Sequence, residues 1–358
     1  MKLRRIFLYG AIGLAVTVGV VHLFRVPISL AVASKFAAKR MAMNTQNELV
    51  DGLHVRLCGA GSPFPDDKRS GPCTVVVAGQ HLLVFDAGSG AARNVGKMGF
   101  NLGRVQAIFL THFHSDHIDG LGEMMLQRWV TASNKAPVPV YGATGVDQVV
   151  NGLVQTYQQD QHYRVTHHGD ATMPASGFGG TPMPFAPEAD KPLTVLKDGD
   201  LEVIAFAVDH GPVHPAIGYR IQYKGRSVLI SGDTKKSATV QREAQGVDLL
   251  LHEALSTPLM AILKDGATQA NRGNLVKIFD DILNYHTSPE EAAEIARDAK
   301  VGYLLYNHIA PPLPLRGMAE AFVGKADTVY TGPIRVGEDG DFISLPAGSK
   351  AIEHRKLF

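Results

Sequence analysis

The run Thr111-His112-Phe113-His114-Ser115-Asp116-His117 sets four potential metal ligands within six consecutive positions. On extended backbone, side chains two apart point to the same side, so His112 and His114 can grip one cation together. Asp116 and His117 follow on a turn, where adjacent side chains diverge, and this pair can face a second cation close to the first. Neutral imidazole and carboxylate are the donors that zinc, manganese and iron accept. One histidine here would read as an ordinary turn residue; a cluster this dense reads as a hydrolytic pair of ions. The chain holds 15 histidines. His162, His167 and His168 sit in a polar, loop-like segment, read as solvated or rim residues, and stay outside the metal set.

Positioning such a cluster requires strands that end where the ligands begin. Val105 to Leu110 reads as a strand running straight into it. Before it, Leu53 to Leu57 alternates, Thr74 to Ala78 is β-branched, and Leu82 to Phe85 is apolar ahead of Asp86-Ala87-Gly88. After it, Ile118 to Val130 predicts a helix with Trp129 in its apolar stripe, and Pro137 to Tyr141 a strand. Residues 170–192, rich in Gly, Pro and Ala with little period, predict an irregular surface loop. Leu201 to Val208, Ile217 to Tyr223 and Ser227 to Ser231 read as strands. Pro289 to Lys300 predicts a helix with Ser288 as its cap and acidic residues in its first turn, and Val301 to Tyr306 a strand leading to His308.

A length of 358 residues with 45% hydrophobic and 19% charged residues suits one large α/β catalytic domain, spanning 48–350. The formal charge of +1 offers no overall basic field for nucleic acid. Met-Lys-Leu-Arg-Arg precedes an apolar run from Ile6 to about Phe24, long enough to cross a bilayer. Residues 1–33 are therefore read as an anchor or signal, favoured as an uncleaved anchor, and 34–47 as a linker. The expected location is the inner membrane facing the periplasm or exterior, or a secreted or periplasmic form if Ala31-Val32-Ala33 serves as a cleavage site. Cys58 and Cys73 lie in neighbouring predicted strands; buried free thiols are the favoured reading, with a disulfide open if the domain is exported.

The run His-x-His-x-Asp-His resembles the signature of the metallo-β-lactamase superfamily, and the rest of the chain follows in order. Asp86 in Phe-Asp-Ala-Gly, His210 in Val-Asp-His-Gly, Asp233 in Ser-Gly-Asp-Thr and His308 in Tyr-Asn-His-Ile resemble that superfamily's remaining site residues. Gly218-Tyr219-Arg220, His252-Glu253-Ala254 and His286-Thr287-Ser288 resemble its ribonuclease Z and arylsulfatase branch. The resemblance spans about residues 50–345 and implies a four-layer αββα sandwich preceded by the N-terminal helix. It implies that His112, His114 and His210 hold one divalent ion, that Asp116, His117 and His308 hold the other, and that Asp233 bridges. Zinc is favoured, with manganese or iron accepted by the same donors. His214 competes with His210, which ranks first because it directly ends a predicted strand. Asp86 is expected to orient a ligand imidazole, with Asp116 counted among the catalytic residues, His286 as candidate proton donor and Glu253 as its orienting partner.

Two dications lower the pKa of a bridging water far enough to make hydroxide available near neutral pH, which implies a binuclear hydrolase. The ribonuclease branch normally carries a long basic arm between its Gly-Tyr-Arg and Ser-Gly-Asp segments; here Gly218-Tyr219-Arg220 runs through a tight hairpin to Ser231. With the near-neutral charge and the export signal, this favours a small-molecule ester (arylsulfate, phosphodiester, carboxylic ester or lactone) and no nucleic-acid partner. A ribonuclease Z-like phosphodiesterase, a β-lactamase and a membrane-tethered metal-binding sensor without turnover are the alternatives. The Asp233 carboxylate weighs against the lactamase, and His114 against a redox diiron site. A homodimer is common among proteins resembling this branch.

Overall fold

The computed structural model describes residues 2–188 and 191–356. The chain divides into two units, the first ending at Thr45 and the second beginning at Gln46. The first is helix α1 (Lys2–Ala42). Among the described residues, its stretch Thr17–Ala42 is long and apolar enough to cross a membrane. Helix α1 absorbs most of the expected linker, because Ala, Lys, Arg and Met between 34 and 42 are strong helix formers.

The second unit is built from two mixed sheets. Strands β1 (Gly52–Gly59), β2 (Cys73–Ala78), β3 (His81–Phe85), β4 (Ala107–Phe109), β5 (Val138–Ala143) and β6 (Gly180–Phe185) make most of the first sheet. Strands β7 (Leu193–Asp198), β8 (Leu201–Ala207), β9 (Ile217–Tyr223), β10 (Arg226–Ile230), β11 (Leu249–Leu255), β12 (Leu304–Ala310) and β13 (Ile334–Val336) make the second. The chain then returns to the first sheet through β14 (Asp341–Pro346) and β15 (Glu353–Lys356), in the order β15-β14-β1-β2-β3-β4-β5-β6. β15 carries the domain past the expected limit at residue 350. The second sheet runs β13-β12-β11-β10-β9-β8-β7. β3 to β6 pair in parallel, as do β10 to β13.

Apolar residues facing inward from both sheets, among them Leu53, Phe85, Phe109, Tyr219 and Leu251, form the central core. Helices α2 (Ala91–Lys97), α3 (Ser115–Ile118), α4 (Leu121–Ala132) and α5 (Val146–His168) follow on the first half of the chain. Residues of α2, α4 and α5 join a second core with the outer face of the first sheet. Helices α6 (Ala238–Glu243), α7 (Thr257–Gln269), α8 (Gly273–Asp281) and α9 (Pro289–Asp298) come from the second half, and α6 and α9 share a third core with the second sheet. The result is the αββα sandwich. α9 starts with a capping box, in which Ser288 and Glu291 satisfy each other's backbone N–H. Trp129 is fully buried on α4 and donates its indole N–H to the Pro174 carbonyl at 2.7 Å.

Three expectations are corrected. Residues 170–192 are not an irregular loop throughout, since β6 pairs with β5. Pro182 and Pro184 are tolerated because β6 is an edge strand and the two prolines, two apart, turn the same side of the strand away from the ladder. His162, His167 and His168 lie on helix α5 rather than in a loop, the last two in its final turn. Cys58 and Cys73 are joined as a disulfide, their Cα atoms 5.0 Å apart, and not left as thiols. Cys73 at the start of β2 pairs with Gly59, and Cys58 stands at the register shift just before it, near the end of β1. Residues 15 apart in separate predicted strands carry no local signal of such pairing.

Candidate metal centre

Asp86 follows β3, residues 112–117 follow β4, His210 follows β8, and Asp233 follows β10. His308 lies in β12, close to its end. All five groups therefore collect along one edge, outside the carboxyl ends of the strands, where open α/β sheets characteristically bind ligands. β4 is shorter than expected and stops at Phe109, so His112 and His114 belong to the loop beyond it, and His114 precedes the short helix α3. Their shared facing comes from loop anchoring rather than from strand alternation. The Thr111 N–H and hydroxyl both donate to the Asp86 carboxylate, at 2.8 and 2.9 Å. From the opposite sheet the Ile217 N–H donates to the Thr111 carbonyl at 2.9 Å, and the Tyr219 hydroxyl donates to the Leu110 carbonyl at 2.7 Å.

Close backbone approach fixes two glycines here. A Cβ on Gly88 would stand 2.2 Å from the Asp116 carbonyl oxygen. Gly232, beside Asp233, has φ +61, and a Cβ there would stand 2.4 Å from the Ile217 carbonyl. Asp86 and His308 also occupy the left-handed region, at φ +56 and +47, although neither is glycine. Such positions cost roughly 1–3 kcal/mol and persist where surrounding contacts over-determine them. At His308 the cause is a register shift. Glu253 pairs with Asn307 and Ala254 with Ile309, so His308 is the extra residue of a β-bulge.

The structure brings the seven expected ligands together. Asp233 Oδ2 lies 3.2 Å from His308 Nε2, 3.4 Å from His117 Nε2, and 3.9 Å from both His112 Nε2 and His210 Nε2. His112 Nε2 and His114 Nδ1 are 2.9 Å apart, and Asp116 Oδ2 is 3.2 Å from His308 Nε2. The triads His112-His114-His210 and Asp116-His117-His308 each place their ligand atoms within 4.8 Å of one another. His117 Nε2 and His210 Nε2 are buried and without a hydrogen-bond partner among the protein atoms. A buried ring nitrogen left so is costly unless something else uses its lone pair, and the nitrogen and oxygen donors around both suit a divalent cation. The other nitrogen of each ring is engaged. His117 Nδ1 lies 2.9 Å from Asp86 Oδ2, and His210 Nδ1 lies 3.0 Å from the Tyr285 carbonyl. That is the arrangement by which an outer partner fixes the tautomer of a ligand histidine.

Burial disfavours charge on His112, His114 and His210 and holds all three below the usual imidazole range, in the neutral form that binds metals. Burial opposes charge on His117 as well, yet Asp233 and Asp86 drive it well above that range. Asp233, opposed by burial, is pulled well below the carboxylate range by His308 and His117.

His286 stands one step outside. Its Nδ1 is 3.1 Å from Glu253 Oε1, which also accepts from the backbone N–H of Thr287 at 3.0 Å and of Thr234 at 3.2 Å. Burial works against a charged His286, but Glu253 beside it lifts the ring to about 8. The His286 ring centroid is 5.1 Å from that of His210 and 5.6 Å from that of His308. His214 is exposed and belongs to none of the ligand triads. His162, His167 and His168 are exposed on α5.

Sequence reasoning missed the apolar wall of the site. Phe64, Leu275, Ile278, Phe279, Ile282 and Tyr285 line the cavity that also exposes His114, Asp116, Asp233 and His308. The spacing Leu275, Ile278, Phe279, Ile282 is helical and was legible; that it faces the ligands was not.

The sequence matches the Metallo-beta-lactamase superfamily over residues 66–308. A ribonuclease Z of Mycobacterium bovis (strain BCG / Pasteur 1173P2) is 35% identical over 289 residues, 80% of this chain and 96% of its own length. One from Mycolicibacterium gilvum is 33% identical over 289 residues, 80% and 94% of the two chains. Among solved structures, human tRNase Z, short form, superposes with a TM-score of 0.57 at 22% identity, covering 82% of this chain and 99% of that one. The metallo-beta-lactamase fold protein YhfI from Bacillus subtilis gives 0.58 at 20% identity, over 82% and 100%. With this fold, these ligand clusters and these relatives, the chain is a hydrolase that belongs to the metallo-beta-lactamase superfamily, in its ribonuclease Z branch.

Proposed function

We propose that this chain is a two-metal phosphodiesterase that cleaves RNA, with transfer-RNA precursors as its substrate class. The observation that carries the reading is Asp233 Oδ2 set among four imidazole nitrogens at 3.2 to 3.9 Å, in a chain whose relatives are named ribonuclease Z. His112, His114 and His210 would hold one ion and Asp116, His117 and His308 the other, with Asp233 between them. When bound, two such ions, zinc in this reading, supply Lewis acidity at a phosphoryl oxygen and a nucleophilic water near neutral pH. Asp86 keeps His117 Nε2 aimed at the ligand cluster by holding Nδ1. Glu253, fixed by two backbone N–H groups, holds His286 Nδ1 and favours the protonated ring, whose Nε2 can pass a proton to the departing ribose oxygen.

The expectation of a small-molecule ester and of no nucleic-acid partner is corrected by these relatives, 33% and 35% identical across nearly their whole length. A formal charge of +1 describes the polypeptide alone, whereas bound dications themselves attract a phosphodiester.

The helix Lys2–Ala42 supports a membrane anchor. Cell fractionation tests it, and recovery of the full chain in the soluble fraction alone would refute it.

The activity test is incubation of the full chain, in detergent, with a 3′-extended transfer-RNA precursor, with metal content measured on the same sample. One cut near the 3′ end, abolished by chelation, is the expected result. No cleavage with two ions bound would end the reading.

A further inference from the structure

We propose that the apolar chamber beside the ligand cluster seats one unpaired nucleobase adjoining the scissile phosphodiester, an assignment that rests on the RNA-cleaving reading above. The chamber is about 230 Å³. That falls below the roughly 300–1,000 Å³ of common small-molecule pockets, and it suits a single ring system rather than a paired duplex end. Its floor is the ligand cluster, and its walls are Phe64, Leu275, Ile278, Phe279, Ile282 and Tyr285. No lysine or arginine lines it, so the wall is built for a flat apolar face and leaves the phosphate to the ions.

The wall is tied to the ligand frame. Phe64 and Phe279 pack with ring centroids 5.9 Å apart, tilted by 44°. The Tyr285 ring stands 5.0 Å from both His210 and His286, and the Tyr285 carbonyl lies 3.0 Å from His210 Nδ1. Phe64 is half-buried and Ile278 is 47% exposed, leaving apolar surface uncovered directly beside charged ligands. On the other side of Pro63 and Phe64 lies a second chamber, about 380 Å³, lined by Ser62, Arg69, Ser70, Ser89 and Asp119, and it meets the first at Asp116. Hydroxyl and carboxylate groups suit ribose hydroxyls. The two chambers thus divide a nucleotide strand at Phe64, base to one side and sugar to the other. Every base has a π-face, so stacking on such aromatics is tolerant of sequence, and it requires a base already out of its helix.

The test uses the full chain in detergent with zinc and two RNA hairpins bearing a 3′ single-stranded tail, one intact and one carrying an abasic ribose next to the cleaved phosphate. The wild type should show a KM about tenfold higher for the abasic RNA, the scale of one base–aromatic stack. Phe64→Ala should raise KM for the intact RNA and erase the difference, while Phe64→Tyr retains it. Ile278→Lys, a change at the exposed rim that leaves the core intact, should also shrink the difference. Cleavage of both RNAs with equal KM by the wild type would overturn the base seat alone. Failure to cut either RNA with ions bound would overturn the RNA reading and the seat with it.

Discussion

The two halves of the domain furnish the centre in different ways. The first half offers His112, His114, Asp116 and His117 from one loop and the short helix α3 that continues it, and the second offers His210, Asp233 and His308 from the ends of three strands. Ligands on one loop share a backbone, so a single disturbance of that backbone moves all of them. Ligands on separate strands are independent, each held by its own ladder. The join between the halves is made by Tyr219 and Ile217, whose bonds to the Leu110 and Thr111 carbonyls cross from the second sheet to the first.

The largest effect should come from the one carboxylate that both halves surround. Asp233→Ala is expected to lower turnover of RNA by at least about 1,000-fold and to reduce bound metal below two ions per chain. Asp116→Ala should likewise abolish turnover while the fold, followed by circular dichroism, persists. If Asp233→Ala kept both ions, the centre would not depend on a shared oxygen and the contrast between halves would collapse.

His286→Gln should lower kcat about 100-fold or more with metal content unchanged. The ring is held up to about 8, so the protonated donor is lost as pH rises through that value. The wild-type rate should fall there, and the variant should lack that alkaline limb. The same sign governs stability: the Glu253 partnership contributes fully below the unfolded histidine pKa and is lost on passing about 8. An unchanged alkaline limb in the variant would remove His286 from proton transfer.

Asp86→Asn probes the shared loop from behind. Because Asp86 holds Thr111 and His117 together, metal affinity should weaken by about 10- to 100-fold, read by competition with a chelator. The smallest effects should fall on histidines outside the centre. His167→Ala and His168→Ala, exposed at the end of α5, should leave metal content intact and stability within about 0.5 kcal/mol. Loss of an ion from either would show that the centre extends beyond the loop and strand ends described.

The same contrast explains what was legible. The loop at 112–117 announces itself because its ligands are neighbours in sequence. His210, Asp233 and His308 are single residues whose meaning came from resemblance, since no local pattern distinguishes a ligand from a turn residue. Strand alternation located most of both sheets, yet β6 was hidden by prolines that only an edge position permits. The disulfide needed the pairing of β1 with β2, and the wall around Phe279 needed the packing of α8 over the site. Each depends on tertiary neighbours, which periodicity does not encode. Substrate choice misled for a related reason. Net charge averages over the chain, whereas recognition is set by a few groups at one edge.

The extra residue in β12 has a wider consequence. Neighbours along a ladder are committed to one face or the other, so changing any of them disturbs a packed layer. His308 stands outside that pairing, because Asn307 and Ile309 lie opposite Glu253 and Ala254 on either side of it. Its identity is guarded by backbone shape instead: buried and at φ +47, the position suits histidine, asparagine, aspartate or glycine and strains a β-branched replacement, so the kink that aims the side chain also narrows what can stand there.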